Sequence, residues 1–167
     1  MEARPMWSEI EFWLRLEGFG GCGVVMIRAI AAGDAVAAAE LARQLGYERT
    51  PEKIAGWITG LGGREHEQQA FVACMDDEVV GWIEVAMQRH LQTDEFALIG
   101  GLVVKEGVRS AGIGGQLCRH AERWAAERGL KAMRVTSRST REEAHRFYLR
   151  DGYRQVKMSC VFEKPLC

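Results

Sequence analysis

An α/β fold, one mixed and mostly antiparallel sheet flanked by helices, is predicted by three features of the sequence. Hydrophobic runs of strand and helix period follow one another in the order β, α, α, β, β, β, α, β, α, β. The middle strand runs are contiguous, with a hairpin signal between the first two, so most of the sheet is antiparallel. The length of 167 residues, with 47% hydrophobic and 27% charged residues and only 3 prolines, suits one ordered domain with no repeat and no second core.

Each element has a local cause. Residues 1–23 read as an extension: Met6, Ile10, Trp13 and Leu14 line one face of a short helix, which runs into the glycine joint GFGGCG, Gly18 to Gly23. That joint formally fits G-x-G-x-x-G, but a dinucleotide site needs a strand before it and a helix after it, and here the order is reversed. The domain proper is 24–167. Val24 to Arg28 reads as a strand, and Asp34 caps an alanine-rich helix that stops at Gly46. Thr50 and Pro51 open a second helix with Ile54, Trp57, Ile58 and Leu61 on one face, ended by glycines 60, 62 and 63. Ala70 to Met75 and Val79 to Met87 flank the turn Asp76-Asp77-Glu78, and Phe96 to Val104 continues the sheet.

From Gly112 the period becomes helical, with Ile113, Leu117, Ala121, Trp124 and Ala125 on one stripe ended by Gly129. Lys131 to Ser137 is a predicted strand and Glu142 to Arg150 a short helix closed by Asp151-Gly152. Tyr153 to Phe162 is expected to supply a last strand or two.

Charge and cysteines exclude several classes. Lysine and arginine total 22 against 23 acidic residues, net −1, which is no basic field for nonspecific nucleic-acid binding. The five cysteines, Cys22, Cys74, Cys118, Cys160 and Cys167, are odd in number and widely spaced, without a C-x-x-C pair. They suit neither a disulfide framework nor a zinc site, and no metal is expected. No apolar run reaches the ~18 residues of a membrane span, and the start lacks a secretory pattern, so a cytoplasmic location is expected.

The informative segment is Leu102-Val103-Val104 followed by Lys105 to Gly115, an apolar strand turning into a helix through Arg109, Ser110, Ala111, Gly112, Ile113, Gly114 and Gly115. The first amides of a helix lack internal acceptors, and its dipole adds roughly half a positive charge, so a pyrophosphate is well accommodated there. Arg109 adds a cation. The competing reading is that the glycines only let the helix pack closely on the sheet. No Gly-Lys-Ser/Thr follows, and Leu117 stands where a third dinucleotide glycine would, against both nucleotide loops.

Together with AHRFYLRDGY, Ala144 to Tyr153, the segment RSAGIG, Arg109 to Gly114, resembles the GNAT superfamily of N-acetyltransferases, over most of the chain from about Val24 onward. The resemblance implies acetyl-CoA as cosubstrate, lying between two splayed central strands. In it, backbone groups of Leu102, Val103 and Val104 meet the pantetheine arm and Ser110 to Gly115 hold the pyrophosphate. Where many members carry an asparagine that contacts the coenzyme, this chain has Arg141, which is suited to a phosphate.

The resemblance makes Tyr148 the general acid that protonates the departing thiolate. Backbone N–H groups near Val104 are the expected oxyanion donors. Glu84, inside the apolar run GWIEVAM, and Glu95, in a turn, are the candidate bases; Glu84 is either cleft-facing or simply solvated, and Glu95 reads as surface. His66, His90 and His120 read as solvent-exposed, and His145, three residues from Glu142, reads as no metal ligand because the pair is not repeated on another helix.

In the family, acceptor contacts come from the first two helices and their loop, so Tyr47, Glu48 and Trp57 are candidates for an amine pocket. The expected reaction is direct attack of a small-molecule primary amine on the thioester. A peptide or protein N-terminus is the alternative acceptor, and a noncatalytic acyl-CoA-binding module the alternative class. Expected partners are the small amine, with no nucleic acid and no membrane; a homodimer is left open.

Overall fold

The computed structural model describes residues 24–166; the predicted helix and glycine joint before Val24 lie outside the described residues. Five strands form one sheet in chain order: β1 (Val25–Ala29), β2 (Gln68–Met75), β3 (Glu78–His90), β4 (Thr93–Val104) and β5 (Met133–Val135). The pairs β1–β2, β2–β3 and β3–β4 are antiparallel and β4–β5 is parallel, so the sheet is mixed as expected. Helices α1 (Ala35–Gln44) and α2 (Pro51–Gly60) follow β1, α3 (Ile113–Ala126) follows β4, and α4 (Glu142–Arg150) follows β5.

The strand periodicity decides which face meets which helix. Phe71, Ala73, Ile83, Val85, Ala97 and Ile99 point to α3, whose Ile113, Leu117, Cys118, Ala121 and Trp124 complete the main core. Fully burying each large side chain there contributes about 1.5–3 kcal/mol. On the other face, the small buried residues of α1, Ala35, Ala38, Ala39 and Ala42, bring its backbone close to the sheet. Trp82 Nε1 accordingly donates to the Ala38 carbonyl at 3.3 Å.

Turn chemistry is largely as the sequence predicts. Asp76 and Asp77 both have positive φ, 49° and 65°, which makes the β2–β3 connection a tight two-residue turn. Thr50 caps α2, its hydroxyl accepting from the Lys53 amide at 3.4 Å. Asp34 behaves differently. It precedes α1, but its carboxylate makes no cap bond to that helix. It accepts from the Ala31 amide at 2.8 Å and takes the Arg28 guanidinium in two bonds of 2.7 and 2.8 Å. A partly buried arginine outcompetes a helix amide for the carboxylate because both partners are charged.

The Arg28 bonds outweigh burial and, with the Ala31 amide, hold the Asp34 carboxyl below the usual carboxylate range. A carboxyl whose folded pKa is depressed stabilises the protein above its ordinary pKa and loses that contribution as pH falls through the folded value. Asp34→Asn is therefore expected to cost about 2 kcal/mol at pH 7 and much less below pH ~3, measured by urea unfolding at the two pH values.

Three departures stand out. β5 spans only Met133–Val135, against the predicted Lys131 to Ser137. Residues 153–166 form no strand, against the predicted last strand or two. His120, expected in solvent, is half-buried with its ring edge-on to Phe71 at 4.4 Å, because α3 lies close against β2 at that turn.

Candidate active site

A β-bulge opens the sheet. Glu84 pairs with Gly101 and Val85 with Ile99, so Gly100 has no partner on β3 and β4 bends there. On its other side β4 pairs with β5 only from Ala97 to Ile99. Beyond the bulge the two parallel strands part, leaving a cleft with Gly100, Gly101 and Leu102 on one wall and Val135 to Arg138 on the other. Leu45 and Tyr47, from the α1–α2 loop, line it together with Arg141, Ala144 and Tyr148 of the α4 region.

A side chain at either glycine of the bend would meet a neighbour, most severely at Gly101. The Trp82 ring lies across Gly101, where a Cβ would come within 2.7 Å of the ring. The Glu84 carboxylate lies against Gly100, 3.2 to 3.4 Å from where a Cβ would stand. Glu84 is half-buried and accepts from Gln68 Nε2 at 2.9 Å, so the cleft wall at Gly100 is backed by a carboxylate held in place. Glu95 sits at the surface in an ion pair with Arg89 at 2.7 Å.

The loop after β4 is a single 3₁₀ turn, Arg109–Ala111, followed by Gly112 in the left-handed region at φ 72° and then α3. The Ala111 amide is spent on the Val108 carbonyl, and the first bond of the helix runs from the Gln116 amide to the Gly112 carbonyl at 3.1 Å. The amides of Ile113, Gly114 and Gly115 stand ahead of that bond. The Ile113 side chain is fully buried in the core. Gly114 also serves packing: a Cβ there would meet the Phe147 ring at 3.3 Å, so α3 and α4 approach closely. Arg109 donates to the Val104 carbonyl and to Glu106, each at 3.3 Å, and so braces the loop as well as offering charge.

On α4, Phe147 turns to the core and Tyr148 to the cleft. The Tyr148 ring is wedged edge-on between Phe147 (5.1 Å) and Tyr153 (5.5 Å). Burial, and after it the proximity of Cys118, push its phenol up to about 12, with Arg141 pulling the other way. The phenol therefore keeps its proton at neutral pH. Cys118 itself is pushed up to about 12 by burial and is a packing group.

The cleft thus unites Tyr148, Leu102, Arg141 and Tyr47 of the residues singled out from sequence. It does not include Val103, which is buried, or Val104, whose carbonyl is taken by Arg109. Glu48 and Trp57 are also outside its lining. Arg141 donates to the Leu45 carbonyl at 3.2 Å, which ties α4 to the α1–α2 loop across the cleft. Thr136, Ser137 and Arg138 were not expected in the site. The signal for them was their place just past the carboxyl end of a parallel strand, where open sheets bind ligands.

A parallel strand pair parted over a helix N-terminus, with a protonated phenol in the gap, is the arrangement the acetyltransferase resemblance implies. The model of the Acetyltransferase (GNAT) family matches residues 40–153, and the chain belongs to that family.

The chain is 40% identical over 85 residues to an aminoalkylphosphonate N-acetyltransferase of Salmonella typhimurium, a match covering 50% of this chain and 55% of the relative, so it spans about half the length of that curated relative. Among solved structures, the aminoglycoside N-acetyltransferase AAC(6')-Iy in complex with CoA is similar at a TM-score of 0.77 and 14% identity, over 89% of this chain and 99% of that one. The aminoglycoside 6'-N-acetyltransferase AAC(6')-Ih from Acinetobacter baumannii gives 0.74 and 18%, over 86% and 99%. These structural likenesses establish the fold. No helix among the described residues is long and apolar enough to cross a membrane.

Coenzyme A fits the residues present. β4 beyond Ile99 has no β5 partner on its outer edge, the first-turn amides of α3 stand ahead of the helical bonds, and a Cβ at Gly112 would meet nothing within 4 Å.

Proposed function

We propose that the chain transfers an acetyl group from acetyl-CoA to the primary amine of a small molecule. The observation that carries this reading is the position of Tyr148, its protonated phenol lining the gap between the parted strands β4 and β5. Acetyl-CoA supplies an activated thioester. The amides of Ile113 to Gly115, with Ser110, Ala111 and Gly112 shaping the loop and Arg109 beside it, bind the pyrophosphate. The open edge of β4 from Gly100 to Leu102 positions the pantetheine arm and presents backbone N–H groups to the oxygen on which charge develops. Tyr148 gives its proton to the departing sulfur. Glu84, behind Gly100, is the carboxylate suited to take a proton from the substrate ammonium through water, which frees the neutral amine that attacks the thioester.

Charge narrows the acceptor. The cleft lining contains the arginines 138 and 141 and no carboxylate. Such a lining attracts an amine that also carries an anionic group and repels a polycation. The aminoalkylphosphonate substrate named for the Salmonella relative has that character.

The test is thiol release from acetyl-CoA with a panel of aminoalkylphosphonates, amino acids, aminoglycosides and a peptide. Turnover is expected with the anionic small amines, and Arg138→Ala is expected to raise KM for them about tenfold, as the loss of one charge-assisted hydrogen bond would. Tight coenzyme binding without turnover on any amine would reduce the chain to a binding module. Preference for the peptide would move the acceptor to protein N-termini.

A further inference from the structure

Asp34, Glu67, Glu78, Glu95 and Glu106 each pair with an arginine or a lysine. Glu84, half-buried on β3, has no ion pair among the described residues. Its side-chain partner is a neutral amide: Gln68 Nε2 donates to Glu84 Oε1 at 2.9 Å. The other oxygen, Oε2, makes no hydrogen bond to a described residue and is not sealed from solvent. The carboxylate is therefore held at one oxygen and open at the other.

Strand pairing creates this contact. Glu84 pairs with Ala70 on β2, and Gln68 stands two residues along, opposite Ala86, so the two side chains are diagonal neighbours on one face of the sheet. Gln68 is fixed by its own backbone amide, which donates to the Arg64 carbonyl at 3.0 Å. An ionised carboxylate only accepts hydrogen bonds, so the glutamine must turn its NH2 end toward it. The rest of this face offers no charge: Trp82 and Ala86 flank Glu84 on β3, and Gly100 and Gly101 face it from β4. Helix α1, which meets Trp82 on the same face, buries only alanines and Leu41. Gly100, against which the carboxylate lies, is part of the cleft lining.

We propose that Gln68 positions Glu84 for the acetyl transfer, a role that rests on the reading of Glu84 as the base. Its Nε2 occupies Oε1 and fixes the carboxylate against Gly100, so that Oε2 takes the proton that water relays from the substrate ammonium. The neutral amine then attacks the thioester, and the proton on Oε2 passes to solvent. A guanidinium in place of Gln68 would hold the carboxylate as well, but its charge would weaken that carboxylate as a base. A neutral amide orients it with less of that loss.

The test follows kcat for acetyl transfer to an anionic small amine as a function of pH. Gln68→Met removes the donor at nearly equal length and is expected to lower kcat about tenfold, with the dissociation constant for CoA within about twofold by calorimetry. Gln68→Glu, isosteric with the native residue, places a like charge beside Glu84 and is expected to move the acidic limb of the kcat profile to higher pH. Gln68→Lys is expected to move it to lower pH. A side chain that merely packs would not move the limb in opposite directions, and these two variants carry the readout even if Gln68→Met disturbs the start of β2. Full kcat in Gln68→Met, or a limb that charge at position 68 does not move, overturns the role of Gln68 while the transfer stands. Full kcat in Glu84→Gln removes the base and this role with it. No turnover of any amine by the native chain overturns the transfer as well.

Discussion

Tyr148→Phe is expected to lower kcat by about 10²- to 10⁴-fold while the dissociation constant for acetyl-CoA stays within about twofold. The substitution removes one oxygen from the cleft and keeps the ring that packs edge-on between Phe147 and Tyr153, so the fold has no reason to change. The proposed coenzyme site is the open β4 edge and the start of α3, neither of which involves the phenol. Because burial and Cys118 push that phenol up to about 12, the acid remains in its active form across the working range. The pH–rate profile should accordingly show no alkaline limb from Tyr148 near neutrality, and any rise with pH reports the amine or its base. Steady-state thiol release and calorimetric titration with CoA measure the two halves. A Phe variant with full kcat would mean that the sulfur takes its proton from elsewhere, and the proposed role of Tyr148 would fall.

Gly81→Ala is expected to destabilise the domain by about 1–3 kcal/mol, visible as a lower urea midpoint at unchanged m. A Cβ at Gly81 would stand 2.8 Å from the Val103 carbonyl oxygen and 3.4 Å from Leu117 Cδ1. The first of these is backbone in the adjacent strand and cannot swing aside as a side chain can. Relief requires β3 and β4 to separate where Gly81 pairs with Val104, directly below the segment that forms the cleft wall. Coenzyme affinity should therefore fall along with stability. Gly33, by contrast, has nothing within 4 Å of its Cβ position, and Gly33→Ala serves as the control.

Much of this was legible in the linear chain because the deciding interactions are local. The Asp76-Asp77 turn, the Thr50-Pro51 helix start and the α3 stripe from Ile113 to Trp124 each depend on residues within a few positions of one another. The glycine loop and the Phe147-Tyr148 pair were readable for the same reason. Asp34 was misread as a helix cap because its partner, Arg28, competes from β1, and no local rule weighs a cap amide against a bidentate arginine. His120 was misplaced because helical position alone does not show that β2 brings Phe71 against it.

Sequence alone, then, determined the order of elements from β1 to α4 and located the glycine loop that leads into α3 and the Phe147-Tyr148 pair, since backbone period, turn chemistry and motif spacing are properties of short segments. Only the tertiary structure decided where the cleft lies, that Glu84 and Trp82 pack against Gly100 and Gly101, and that Arg138 and Arg141 make its lining cationic. Those facts depend on contacts between strands and helices far apart in the chain, set by a one-residue bulge in the β3–β4 register that periodicity does not reveal.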